Sequence, residues 1–194
     1  MPKLGMEPIR RAALVEATIH EIGAQGSLDI TVKAIAERAG MSSALAHHYF
    51  GGKEQIFLAA MRYTLSVYGS EVSAALKKAK TPLERAEAIV TASFSSSNFL
   101  PDVIAAWLNF YVLAQTVPDA KRLLSIYQAR LRSNLVHALR PMLGTRAPDV
   151  ASRLAALIDG VYLRQSLVKS DRDHAIAAQQ VLQYLHVELG DSSK

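Results

Sequence analysis

The chain has 194 residues, half of them hydrophobic, with a formal net charge of +5 and a pI near 9.5. Such length and apolar content exclude a disordered polyelectrolyte and suit one large domain or a small domain joined to a larger one. The absence of cysteine excludes disulfides and thiolate metal sites. The apolar runs are too short and interrupted to span a bilayer, and the N-terminus lacks the apolar core of a signal peptide, so a cytoplasmic protein is expected.

Helical period prevails between breakers and no alternating run is long enough for a strand, so the expected fold is all-α with about nine helices. Ala12, Val15, Ile19 and Ile22 form an apolar stripe on a first helix that Gly26 ends. Thr31 can cap a short second helix with Val32, Ile35, Ala36 and Ala39 facing inward, and Gly40 supplies a turn. Ser42 caps a third helix reaching Tyr49. Gly51 and Gly52 break the chain before a long helix from Lys53 toward Lys80.

Beyond it, "TPLE" from Thr81 to Glu84 has the form of a capping box with proline at the first helical position. The serine-rich "SFSSSNF", residues 93–99, reads as a helix end or loop. Pro101, Pro118 and Pro148 stand at helix starts, each followed by an aspartate that the helix dipole favours, and "SDRD", Ser170 to Asp173, opens the last helix. Helix length divides the chain: a compact N-terminal unit of three short helices over residues 1–52, then a helical bundle over 53–194 large enough for a ligand cavity or dimer interface.

The basic surplus is not simply concentrated at the N-terminal end. Lys3, Arg10, Arg11, Lys33, Arg38 and Lys53 are matched by Glu7, Glu16, Glu21, Asp29, Glu37 and Glu54, so an anion-binding face there must come from arrangement. The segment "GMSSALAHHYFGGKEQIF", residues 40–57, supplies candidates. His47 and His48 are adjacent on a helix and point about 100° apart, so they cannot chelate one ion. No catalytic residue or resident cofactor is expected, because no nucleophile motif is present. Phe50, and part of Tyr49, suit a buried helix end.

A helix-turn-helix fits the whole segment from Thr31 to Lys53. Small Ser42, Ser43 and Ala44 let the backbone approach base edges in the major groove. His47, His48 and Tyr49 can reach phosphates, sugars or bases, and Lys53 beside the amides of a helix N-terminus makes an anion site.

"TVKAIAERAGMSSALAHHYFGGKEQIFLAAM", residues 31–61, resembles the helix-turn-helix signature of the tetracycline-repressor (TetR) family. The resemblance implies phosphate contacts near Thr31, His47, Tyr49 and Lys53, and base contacts near Lys33, Ser43, Ala44 and Leu45. Two positions depart from the family pattern: His47 stands where tyrosine is usual and Ala44 where glycine is common. "MPKLGMEPIRR" at the start, "AAWLNF" at 105–110, "SNLV" at 133–136 and "AALIDGVYLR" at 155–164 are similar to a choline-responsive branch of that family, the repressors of glycine betaine synthesis genes. Residues 65–100 contribute little to the likeness.

Choline's quaternary ammonium has no N–H to donate, so its site needs aromatic faces within about 6 Å, to which a nearby carboxylate can add. Trp107, Phe110 and Tyr111 lie on one helix, Tyr127 and Tyr162 on later ones, and Asp159 stands in an otherwise apolar helix, with Arg164 or Arg153 as possible partners. Spacing alone leaves these aromatics as ordinary core; the branch resemblance makes Trp107 in particular a ligand candidate. Asp159 suits a salt bridge or dimer contact as well as a ligand role. The resemblance further implies a homodimer through the last two helices, with Leu154, Leu157, Ile158, Val161, Leu182 and Leu185 on their apolar faces. Such a dimer reads palindromic operator DNA at half-sites about 34 Å apart. The alternative within the same family is a different effector, a drug-like cation or a lipid.

Overall fold

The computed structural model describes residues 5–168 and 174–190; the expected opening of the last helix at Ser170–Asp173 lies outside them. Among the described residues there are nine α-helices and no strand. They are α1 (Met6–Gln25), α2 (Val32–Arg38), α3 (Ser43–Phe50), α4 (Lys53–Lys78), α5 (Pro82–Ser93), α6 (Pro101–Thr116), α7 (Pro118–Leu143), α8 (Ala147–Ser166) and α9 (His174–Leu189). No described helix is long and apolar enough to cross a membrane.

The helix starts follow local chemistry. Thr31 accepts from the Ala34 amide at 3.0 Å and Ser42 from the Leu45 amide at 3.2 Å, each satisfying a donor that the first turn leaves open. At α5 the capping box is complete: Thr81 Oγ1 accepts from the Glu84 amide at 3.1 Å, and Glu84 accepts from the Thr81 amide at 3.4 Å. Gly26 and Gly51 end α1 and α3 with φ of 65° and 80°, the left-handed region where a side chain would be strained.

The chain forms two compact units. The first holds residues up to Leu65 together with Leu100–Arg122. Here α2 packs on α1 and α3, and α6 packs along α1. The inward face of α1 is Leu14, Val15, Thr18, Ile19 and Ile22. Ala12, expected inward, is exposed: the helix turns its larger Leu14 to the core instead, where burial removes more apolar area. Gly23 permits a close approach. A Cβ there would lie 1.9 Å from the Asp102 carboxylate oxygen and 2.7 Å from the Asp102 Cα, so only glycine lets the first turn of α6 sit against α1. The join is polar as well: His20 Nδ1 lies 2.5 Å from Asp102 Oδ2, and Asn109 Nδ2 donates to the Gly26 carbonyl at 3.3 Å.

The second unit holds Ser66–Phe99 and the residues from Leu123 onward, with α9 packed on α8 and α5. Its core is Ile89, Leu135, Leu139, Leu154, Ile158, Val181 and Leu185. The serine-rich stretch closes α5 and forms a short 3₁₀ turn over Ser96–Phe99. Ser95 and Ser97 both donate to the Glu71 carboxylate, at 2.8 and 2.6 Å, and Tyr162 donates to the Asn98 carbonyl at 2.8 Å.

Candidate functional site

In the first unit, α3 is an eight-residue helix set by its cap at Ser42 and stopped at Gly51. It buries Ala46 and Tyr49 and leaves Ser42, Ala44, His47 and His48 exposed, with Ser43 and Leu45 half-buried. The exposed row therefore starts with small side chains and ends with two imidazoles, on a surface that backbone-to-backbone approach can use. His47 Nδ1 lies 3.2 Å from the Gly51 carbonyl, which fixes that nitrogen as the donor and leaves Nε2 for another partner. Lys33 is exposed on α2 beside Glu37 at 3.8 Å. Thr31 and Ser42 are occupied in part by capping.

Tyr49 lies inward: its hydroxyl accepts from Arg10 Nη1 at 3.4 Å, and the Arg11 guanidinium stands 5.4 Å from its ring and 5.1 Å from that of Phe50. Phe50 packs on Val15, Ile19 and Ala60, as a core helix end should. Charge counting alone did not reveal that Arg10 and Arg11 stand at the aromatic end of α3. Arg38 is bound to Glu21. Lys53 opens α4 with its ammonium 5.6 Å from the Phe57 ring, so a cation is held at a helix N-terminus, where anions are favoured.

The aromatic and acidic candidates fall into two groups. On α6, in the first unit, Trp107 and Phe110 are buried; the Trp107 ring meets Phe110 edge-on at 6.1 Å and Tyr111 at 6.0 Å. In the second unit, Tyr127 from α7 donates to Asp159 on α8 at 2.9 Å. The expected guanidinium partners are elsewhere. Arg153 is engaged by Glu188 and Tyr184, and no described residue forms an ion pair with Asp159. The reason is helical geometry: neither Arg164 nor Arg153 stands three or four residues from Asp159, the spacing at which side chains of one helix meet. Burial raises the Asp159 carboxyl pKa, and the Tyr127 hydrogen bond only partly counters it.

Tyr162 is taken up by the serine-rich turn, bonded to the Asn98 carbonyl with its ring edge-on to Phe99 at 5.1 Å. Tyr68 was not singled out by sequence reasoning. Its ring stands edge-on to Tyr127 at 5.7 Å, and its hydroxyl lies 3.0 Å from Ser93 Oγ. The spacing Phe57, Met61, Thr64, Tyr68 and Val72 places it on the inward face of α4, which was the available signal.

A separate open groove of about 850 Å³ runs between α4, α5 and α9, lined by Ala74, Ala75, Ala88, Glu71 and Glu87 among others. Two of its carboxylates are already spent, Glu71 on Ser95 and Ser97 and Glu87 on His186, so the groove offers poor selection for a cation. Among the described residues no group of histidine and carboxylates is placed to hold a metal ion.

On α8 and α9, Leu154, Ile158, Val161 and Leu185 are buried within the chain itself. The outward faces carry Leu163, Leu167, Ile176 and Val187, with small Ala156 and Gly160 between them.

A short, capped helix supported by two others, followed by a larger helical unit with its own polar cluster, defines a helix-turn-helix transcriptional regulator. Residues 14–60 match the tetR family of bacterial regulatory proteins, and residues 82–190 match the C-terminal domain of BetI-type transcriptional repressors. The regulator BetI of Brucella melitensis biotype 2 is 50% identical over 190 residues, covering 97% of this chain and 96% of its own. Among solved structures, a transcriptional regulator from Pseudomonas aeruginosa PAO1 superposes with a TM-score of 0.81 at 25% identity, covering 97% of this chain and 93% of its own. A regulator from Saccharomonospora viridis, solved in complex with choline, gives a TM-score of 0.81 at 22% identity, covering 91% and 95%. The chain belongs to the TetR family, in its branch of BetI-type transcriptional repressors. It is a regulator of transcription and not an enzyme.

Proposed function

We propose that the protein represses glycine betaine synthesis genes, binding palindromic operator DNA as a homodimer and leaving it when choline or a related quaternary ammonium binds. Residues 1–52 act as the DNA-binding domain and 53–194 as the effector-binding and dimerisation domain, in the cytoplasm. Lys33, Ser43, Ala44 and Leu45 read bases, Thr31, His47, Tyr49 and Lys53 contact phosphates, Ser42 lets the backbone approach base edges, and His48 reaches phosphates, sugars or bases. Trp107, Phe110, Tyr111, Tyr127, Asp159 and Tyr162 are the effector residues. The dimer forms through the outward faces of the last two helices.

The observation that carries the effector reading is Asp159: a half-buried carboxylate bonded to the Tyr127 hydroxyl, with no ion pair among the described residues. A quaternary ammonium supplies the missing charge without needing a hydrogen bond. The fold in hand is one that accommodates choline in the Saccharomonospora viridis regulator. Release from DNA requires that choline bind the released shape more tightly than the operator-bound one.

Trp107, the single tryptophan, is the fluorescent probe for an effector titration. Titration with choline should give a saturable change in its fluorescence, absent with the neutral isostere dimethylbutanol. A flat titration, with no heat by calorimetry, would remove choline as the effector and leave a TetR-type repressor of another ligand.

The DNA face is tested by salt. Lys53→Ala should weaken binding to all sequences alike and reduce the slope of log affinity against log salt by about one, since one phosphate contact is lost and phosphates carry no sequence information. An unchanged slope would take Lys53 off the backbone.

A further inference from the structure

We propose that Tyr68 is the second aromatic wall of the effector cation site, with Ser93 as the residue that positions it. This rests on the reading of Asp159 as the cation's counter-charge and extends it to a residue that the family likeness does not pick out.

The geometry sets three side chains from three helices in a chain. Asp159 on α8 accepts from the Tyr127 hydroxyl of α7 at 2.9 Å, and the Tyr127 ring meets the Tyr68 ring of α4 edge-on at 5.7 Å. At the far end, Tyr68 is pinned by its hydroxyl, 3.0 Å from Ser93 Oγ. Ser93 itself donates to the Ile89 carbonyl at 2.8 Å, so it accepts from Tyr68 and its position is set by the last turn of α5. A tyrosine fixed at both ring and hydroxyl loses little further freedom when a ligand meets its face, which favours binding.

The surroundings agree with this. Burial pushes the Tyr68 phenol up to about 12, with the Asp159 charge among the smaller contributions, so the two groups sense each other. Tyr68 therefore stays a neutral ring across the working pH range and presents its negative π face to a cation. Two tyrosine rings and one carboxylate are the groups that recognise an ammonium carrying methyl groups instead of N–H donors.

The test is calorimetry on the full-length protein with choline, tetramethylammonium and dimethylbutanol, for the parent, Tyr68→Phe and Tyr68→Leu. Tyr68→Leu should weaken both cations by about threefold to thirtyfold while leaving the neutral alcohol nearly unchanged, so the ratio of cation to isostere narrows. Tyr68→Phe, which keeps the ring, should stay much closer to the parent. A merely structural role would weaken all three ligands together, and an unchanged ratio in Tyr68→Leu would overturn the proposal. Melting and operator affinity serve as controls of the fold. If the parent binds tetramethylammonium but not choline, the choline reading fails while the role of Tyr68 is still decided by the cation that binds. If it binds neither, both fail.

Discussion

Gly23→Ala should lower the melting temperature of the protein, against the ordinary expectation for a glycine inside a helix. Helix propensity favours alanine over glycine by about 1 kcal/mol, and the smaller freedom of the unfolded chain adds to it. Packing opposes it here. The new methyl would stand 1.9 Å from the Asp102 carboxylate oxygen and 2.7 Å from the Asp102 Cα. Rotation of the carboxylate relieves the first contact but breaks the His20 bond, and nothing short of moving α6 relieves the second. Overpacking costs about 1–3 kcal/mol when side chains can adjust, and a backbone clash lies at the upper end or beyond it.

For a chain of this size a loss of 1 kcal/mol corresponds to about 2–4 °C. Gly69→Ala is the matched control. Gly69 is inside α4 with nothing within 4 Å of an added Cβ, so that substitution should hold or raise the melting temperature. If both variants gain stability alike, the close approach of α1 and α6 is looser than described. Operator affinity should fall in Gly23→Ala as well, because α1 packs on α2 and holds Tyr49 and Phe50 of α3.

Asp159→Asn should separate stability from function. Burial holds the carboxyl pKa above its ordinary value, so the folded state binds that proton more tightly than the unfolded one. Stability is then lost as pH rises from the ordinary carboxylate range through the raised value, and above that window the cost of the charge is fully present. Asparagine keeps an acceptor for Tyr127 and carries no charge, so the variant should melt higher than the parent at neutral pH. That advantage should vanish in acid, where Asp159 is already protonated.

Choline affinity should move the other way, falling by about tenfold, as expected for losing the counter-charge of a partly buried ion pair at an effective dielectric well below that of water. In the parent, affinity should decline as pH falls through the raised carboxyl value, because the cation binds the ionised form. A variant that melts higher yet still answers choline would remove Asp159 as counter-charge and leave its burial without a functional reason.

How much of this was legible in the sequence depends on how far apart the interacting residues lie. Helix starts were readable because a cap acts across three residues: Thr31, Ser42 and Thr81 each accept from an amide within the first turn they open. The turn signals at Gly26 and Gly51 were readable for the same reason, since one residue must take a left-handed backbone. Gly23 carries no local mark, because what requires glycine there is a residue on α6. Tyr68 was hidden similarly, in a stretch with little likeness to the repressor branch and with partners on α5 and α7.

Asp159 stands out in the sequence, but its partner does not. An isolated carboxylate on an apolar helix calls for a cation by composition, and the tyrosine it meets comes from another helix. The faces of α8 and α9 are legible as apolar, but Leu154, Ile158, Val161 and Leu185 close the inside of one chain. Period alone does not separate a stripe that packs on its own neighbour from one left for a second copy.

The recognition helix is only eight residues long, closed by a capped start and a glycine stop, and it turns just Ala46 and Tyr49 into the interior. Isolated helices shorter than about 12–15 residues are marginal in water, so this one owes its shape to α1 and α2 beneath it. A synthetic peptide copying Ser43–Phe50 would be mostly unstructured and should not compete for the operator. Exchanging those eight positions between two regulators would likewise transplant side chains without the scaffold that aims them. A chimera with altered promoter choice has to carry the first three helices as one cassette.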